Sequence, residues 1–516
     1  MPPRWARRAF SFDVRSLAVL RMGMAALLLV DLSARAGDLV AHYTDGGVLP
    51  RASFQLQTWD FAWSFHTLGG SARFEVLLFA AAAVVALSLG VGFQTFWSTA
   101  VSWLFLVSLH GRNPLLRDGQ DDLLRVLLFW SMGLPWGAAF SVDAWRARVF
   151  SPAPLRVGEE GVFGLTTVAF TVQWLFVYAG SALAKLTSPW WTSGHALQWA
   201  LGLARYETPL GQKLLAFPVL LQGLTYLTLG VELVLPLGLL LGGRALRTAG
   251  VAVFVVMHLG FALGLELGLF PWVNLVGWLA FLPAWAWRQA GVGASPGEEA
   301  LLPRVQTQPF VGAAVAVLLT AVLAFNLRYL APAVPVPRGV QALCDGLGLQ
   351  QYWSLFSPSK LLTAKLSDGW FVVEGDFATF ASVDLLRGGG AVSWDRPPLV
   401  SKTFANTRWR QYFANIAWDW PRGSEQQRTV EASRTAYADL LCRTWNRSHA
   451  TSENIVSVRV TYVHHPVGEP GPSPERHLLV RRMCPNIGGP PGWVQAPRDS
   501  RKRSDASQAE SAAAAE

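Results

Sequence analysis

The sequence predicts a polytopic α-helical membrane bundle followed by a small α+β soluble domain. Apolar stretches of about 20 residues, the length that crosses a bilayer, recur from Leu17 to about Leu330. After that point the chain turns polar, with strand-like runs and turns. The net charge is +9, but the basic residues are scattered between apolar runs and do not line one face, so they serve as topology determinants and nucleic acid is not an expected partner. The expected division is a transmembrane domain over 1–330, an α+β extracytoplasmic domain over 331–498 and a charged, alanine-rich, disordered tail over 499–516.

The first apolar run follows Arg4, Arg7, Arg8 and Arg15, and no small-residue cleavage site closes it, so it is expected to remain as a span. Spans are expected at about 15–33, 73–91, 93–110, 122–140, 161–184, 215–241, 246–265, 268–287 and 308–330, about nine in all. A tight hairpin at Gly92 joins the second and third. Pro236 makes a broken helix plausible in the sixth. With the N-terminus in the cytoplasm, the inside loops carry Arg146, Arg148, Arg156, Arg244, Arg247, Arg288 and Arg304, as the positive-inside rule favours against Arg51, Arg112, Arg117 and Arg205 outside, and an odd span count places the C-terminal domain outside. The same assignment puts His42–Gly47, Asn113–Asp122 and Trp190–His195 together on the outer side, polar turn-rich loops of the kind that fold over the mouth of a bundle.

Pro332, Pro335 and Pro337 mark a linker. Beyond it, Asp368–Gly375 and Ile455–Val463 alternate or are β-branched and predict strands, and Glu425–Trp445 predicts a helix with Val430, Tyr437 and Leu441 on one side. Trp353, Trp370 and Trp409 suit either a core or a binding surface, and Arg408 and Arg410, alternating around Trp409, are expected to face solvent or an acidic partner. Cys344, Cys442 and Cys484 lack Cys-x-x-Cys spacing; an oxidising compartment would allow one disulfide and one free thiol, and the sequence does not decide their state.

Lys185 is the most informative residue. Phe163–Leu183 carries no charge, and an ammonium at or near hydrocarbon depth is normally paired, hydrated or working. Helical spacing puts Tyr178, Ser181 and Lys185 on one face, with Trp190, Trp191 and His195 close behind. An ammonium desolvated beside aromatics is destabilised, which makes the amine a usable base or nucleophile; the plainer alternative is a lysine snorkelling to the interface, with the tryptophans as belt anchors. His258, in an apolar stretch, is either a proton relay or substrate contact, or an interhelical hydrogen bond. No second histidine has metal-ligand spacing to it, and no metal is expected. Arg21, Asp31 and Glu232 are expected to form structural ion pairs such as Arg21 with Glu232, and Asp122 to cap the fourth span.

Ser16–Arg21, Tyr43–Pro50, Asn113-Pro114 with Asp118–Asp121, Gln173–Leu186 followed by Trp191-x-x-Gly194-x-Ala196, and His258 followed by Gly268–Pro271 together resemble the HTTM family over roughly residues 11–330. That family's membrane domain is shared with vitamin K-dependent gamma-carboxylase. The C-terminal part looks like the domain attached to many bacterial HTTM proteins. The resemblance implies a bundle in which Lys185 is the base of a hydroquinone oxygenation and His258 a polar pocket residue, with the carbanion it drives shielded from water. The pattern departs from the carboxylase at Ala184, where a second lysine stands, and at Gln120-Asp121, where a histidine stands.

Two functions are therefore expected. One is an outward-facing catalyst, carboxylase-like or quinol-coupled, with Lys185 and His258 catalytic and Tyr178, Trp191, His195 and Asp121 binding substrate. The other is a non-enzymatic membrane protein that holds a membrane lipid or docks an exported protein. A transporter has only the span count and Pro236 in its favour, since no internal repeat is visible. The sequence names no cofactor.

Overall fold

Asp13, Ser71 and Asp118 each open a helix by accepting a backbone N–H of its first turn, from Arg15, Phe74 and Gln120 respectively. The computed structural model describes residues 3–485 apart from 55–62, 151–154, 157–160, 242, 293–300, 303–308, 329–334, 358–366, 419–423 and 467–473. The tail expected to be disordered lies outside the described residues, as does Pro332 of the linker. The helices that meet the expected spans are α1 (Val14–Ala36), α2 (Ala72–Val91), α3 (Thr95–Arg112), α4 (Gly119–Ser131), α5 (Leu165–Thr187), α6 (Pro218–Leu241), α7 (Arg244–Gly264), α8 (Phe270–Leu279) and α9 (Pro309–Leu327).

Five of them, α1, α2, α5, α6 and α7, are long and apolar enough to cross a membrane. Their outer faces carry exposed Val76, Leu77, Val84, Leu227, Val234 and Val256, which only a nonpolar surrounding satisfies. Two of the helices at expected spans are short. With 13 and 10 residues, α4 and α8 rise only about 20 and 15 Å, against a hydrocarbon core of about 30 Å. Pro135 and Pro283 explain this, because the residue before a proline avoids the helical region.

The turn that follows α4 has a use. The carbonyls of Trp136, Ala139 and Phe140 accept hydrogen bonds from Arg21, so the expected pairing of Arg21 with Glu232 does not occur. Three carbonyls accept from its two terminal nitrogens, and the nearby acidic charge is Asp143 and not Glu232. The expected break in α6 is also absent: the helix runs on through Pro236. Nor does Asp122 cap α4. Asp118 does so, in a capping box with Asp121, and Asp122 pairs with Arg117 and Arg125. The hairpin at Gly92 is present, with the glycine at φ +70°, a conformation that side chains disfavour.

After α9, α10 (Arg338–Gly346) leads to a segment that packs with the helices. Cys344, Leu349 and Trp353 join the same core as Trp130, Trp174 and Phe325. Gln351 exchanges amide hydrogen bonds with Gln173 of α5, at 2.6 and 3.1 Å. A four-stranded antiparallel sheet follows, built from β1 (Ser367–Phe377), β2 (Ser382–Asp384), β3 (Ile455–Pro466) and β4 (Glu475–Met483) in the order β2-β1-β3-β4, with Phe371 opposite Tyr462. The helices α11 (Thr407–Ala417) and α12 (Glu425–Ser448) complete the domain, and Trp370 lies in its core. Cys442 and Cys484 form a disulfide that ties α12 to the end of β4, while Cys344 is free and buried.

The sheet domain sits on one pole of the bundle. Asn406 donates to Asp38, Asn415 to the Leu115 carbonyl, Ser433 to the Val48 carbonyl and Arg443 to the Gly46 carbonyl, while the Asp368 carboxylate accepts the Ala204 N–H. At the opposite pole, Arg247 bonds the Arg8, Ser11 and Phe281 carbonyls and Arg15 bonds that of Val292. The loops assigned to one side of a membrane thus gather at one pole, beneath the sheet domain, and several arginine-bearing segments gather at the other.

Candidate functional site

In α5, Lys185 is near the C-terminal end, but helical side chains lean toward the N-terminus, so its amine turns back along the helix. It is 2% exposed. Its Nζ donates to Ser181 Oγ and to Glu232 Oε2 of α6, each at 2.5 Å, and Ser181 Oγ also donates to Glu232 at 3.1 Å. The Trp191 ring covers the ammonium at 4.8 Å from its centroid. Trp191 is held there by its indole N–H, which donates to the Phe356 carbonyl from beyond the linker. The snorkelling alternative does not describe this side chain, and Trp190 and Trp191 are buried instead of forming an interfacial belt.

A second polar group lies on the same face of α5. The Tyr178 hydroxyl accepts the Trp278 indole N–H at 2.6 Å, donates to Asn274 Oδ1 at 2.9 Å and stands 3.3 Å from His258 Nε2. His258 Nδ1 faces the Phe254 carbonyl of its own helix at 2.8 Å, so the ring proton resides there and Nε2 is the bare nitrogen facing Tyr178. Phe254 and Trp278 stack at 3.8 Å and fix α7 against α8. Gly277 lets α8 approach α5, since any side chain there would meet the Trp174 indole.

Both groups line one cavity of about 380 Å³. Tyr178, Ser181, Lys185, Trp191, Glu232, His258 and Asn274 contribute to its wall from the bundle, while Tyr352, Phe356, Arg410 and Gln411 close it from the C-terminal domain. Arg205 and Arg410 lie over the Tyr206 ring at 5.0 and 4.8 Å and also line the cavity, so an anionic group has two cations to meet. Most other lining residues are apolar. A pocket of this size and make-up suits an amphipathic molecule with a polar head.

Of the residues singled out from sequence, Lys185, His258, Tyr178 and Trp191 come together here. His195 does not: it is exposed, bonded to Ser193 and stacked on Trp199, because the positive-φ turn at Gly194 carries it off the cavity wall. Asp121 is also elsewhere, in a buried network. Arg35 bonds Asp31 at 2.7 Å and Asp121 at 2.8 Å, Arg408 reaches both carboxylates at 2.5 Å, and His110 Nε2 lies 3.2 Å from Asp121. Arg408 and Arg410 are therefore buried, not solvent-facing as the sequence suggested; the acidic partner of Arg408 lies within the chain. Sequence reading missed Glu232 as the partner of Lys185, and did not place Asn274, Arg205 or Arg410 at the site. The available signal for Glu232 was that it is a lone carboxylate in an apolar run, which needs a cation.

Asp118 lines the same cavity, just before α4. Burial first, and then the Asp121 charge, push its carboxyl up to about 7, against the pull of Arg408 and Arg410. A folded value above the unfolded one means the folded state keeps its proton longer, so stability falls as pH rises from about 4 to about 7 and is level above that. Asn caps as well as Asp, so Asp118→Asn is expected to remove this decline and to be more stable than the parent at pH 8 by about 1–3 kcal/mol, a figure reduced for the partial exposure of the site. Unfolding temperatures in detergent at pH 5 and pH 8 measure it; equal pH dependence in the two proteins would refute it.

Comparison of the sequence and fold with protein-family models, curated proteins and solved structures finds no match.

Proposed function

We propose that the chain is a membrane enzyme that takes a lipid-soluble molecule with a polar head into the cavity beside Lys185, in the carboxylase-like or quinol-coupled manner that the resemblance to HTTM proteins implies. The supporting observation is the cavity that gathers Lys185, Glu232, Tyr178 and His258 among apolar walls. In this reading Lys185 is the base, and Glu232, at hydrogen-bond distance, receives the proton that the amine must shed before it can accept one from a substrate hydroxyl. Tyr178 and the bare nitrogen of His258 orient the polar head, and Trp191 keeps water from the amine. The site faces the exterior: the Cys442–Cys484 disulfide suits an oxidising compartment for the C-terminal domain, and the arginine-bearing loops at the other pole suit the cytoplasm.

A second reading, a non-enzymatic protein that binds a membrane lipid or docks an exported protein, is favoured by one feature: Glu232 already neutralises the ammonium, as a purely structural pair would. Mass spectrometry of exported proteins and membrane lipids, with the chain present, deleted, or carrying Lys185→Met at normal abundance, separates the two. The catalytic reading expects a molecule whose mass changes only with intact Lys185, such as glutamates heavier by one carboxyl group. An unaltered set of molecules at every position of the comparison would remove it.

A further inference from the structure

On β3 and β4, far along the chain from Lys185, His464 stands opposite Glu475 and Tyr462 opposite His477. Residues two apart on a strand share a face, so His464, Glu475 and His477 all project from the same side of this hairpin. One ligand atom from each lies within 4.8 Å of the others. The two imidazole rings are 6.0 Å apart, and His477 Nε2 is 3.5 Å from Glu475 Oε2. Ligands of a tetrahedral divalent ion stand roughly 3.3 Å apart, given bonds near 2.0–2.1 Å. Side-chain rotation about χ1 and χ2 of exposed Glu475 and His477 closes that difference without moving the strands.

We propose that His464, Glu475 and His477 form a binding site for a divalent d-block cation, Zn(II) or Cu(II), with solvent filling the remaining positions. Two imidazoles and a carboxylate are a donor set these ions favour over Mg(II) or Ca(II), which prefer all-oxygen sites. A second close cluster of acidic and histidine groups among the described residues, Asp31, His110 and Asp121, makes a useful contrast. Its carboxylates are already taken by Arg35 and Arg408, which occupy the position an ion would need. Among the described residues, no arginine or lysine forms an ion pair with Glu475, whose charged partner is His477. The bound ion would clamp one end of β3 to β4, while the disulfide at Cys484 secures the other end of β4 to α12. The site is therefore a second fastening of the outer sheet, independent of the cavity chemistry.

The test uses the full chain in detergent micelles, with any polyhistidine tag removed. Calorimetric titration with Zn(II), and the visible spectrum of Co(II) in its place, are expected to give one equivalent per chain. The double variant His464→Ala/His477→Ala is expected to weaken binding by at least about tenfold, Glu475→Gln to weaken it less, and His449→Ala to leave it unchanged. Unfolding temperatures without metal confirm that the variants fold. Added Zn(II) should raise that temperature in the parent and not in the double variant. Binding that survives in the double variant at parental affinity, or the absence of a saturable site in the parent, overturns the proposal.

Discussion

Replacing Arg408 with leucine is expected to destabilise the protein by about 3–5 kcal/mol, enough to reduce its abundance in the membrane sharply. Asp31 and Asp121 lie almost wholly out of solvent, and two guanidiniums, Arg35 and Arg408, balance them. Losing one leaves an uncompensated negative charge between the bundle and the sheet domain. Arg408→Lys should restore only part of the loss, since a single ammonium cannot bond two carboxylates with the spread of a guanidinium. The effect should reach the cavity as well, because Arg408 anchors the helix that carries Arg410 and Gln411 into its wall. Thermal unfolding in detergent, with limited proteolysis to report whether the sheet domain loosens first, measures both consequences. A leucine variant that unfolds at the parental temperature would show that the network contributes little to holding the two parts together.

Arg408 also shows where sequence reading stops. Two arginines flanking a tryptophan look solvent-facing, and on a helix they point about 200° apart, so a helix packed on one side would expose at least one. Both are buried because α11 is wedged between the bundle and the sheet, a fact of tertiary packing that no local pattern carries. The long helices were legible for the opposite reason: a run of apolar residues sets its own environment. The shortness of α4 and α8 was written in Pro135 and Pro283 but masked by apolar residues continuing past both. Lys185 was legible as a lone charge with Tyr178 and Ser181 on its face. Its partner was not, since Arg21 and Lys185 were equally available to Glu232 until the carbonyls of the turn after α4 satisfied Arg21. The strand β4 escaped notice because its mostly exposed residues lack a clear apolar alternation. His464 and His477 are brought together only when that strand pairs.

The pair Lys185–Glu232 should behave as a unit, and its double-mutant cycle distinguishes structure from chemistry. Lys185→Met alone leaves a buried carboxylate with Ser181 as its one remaining hydrogen-bond partner among the described residues, and Glu232→Leu alone leaves a buried ammonium; each is expected to cost about 3–5 kcal/mol. The double variant replaces both charges with apolar groups and should recover most of that loss, giving a coupling energy of at least about 2 kcal/mol. Additive losses would mean that the two groups do not depend on one another, contrary to their 2.5 Å contact. The stable double variant is then the instrument that separates the two readings of the site. A pair that only holds α5 against α6 can be exchanged for packing with function intact. A pair that passes a proton to and from a substrate cannot, so a double variant that folds like the parent yet abolishes its effect on the molecules of the membrane exterior is the result expected of a catalytic amine.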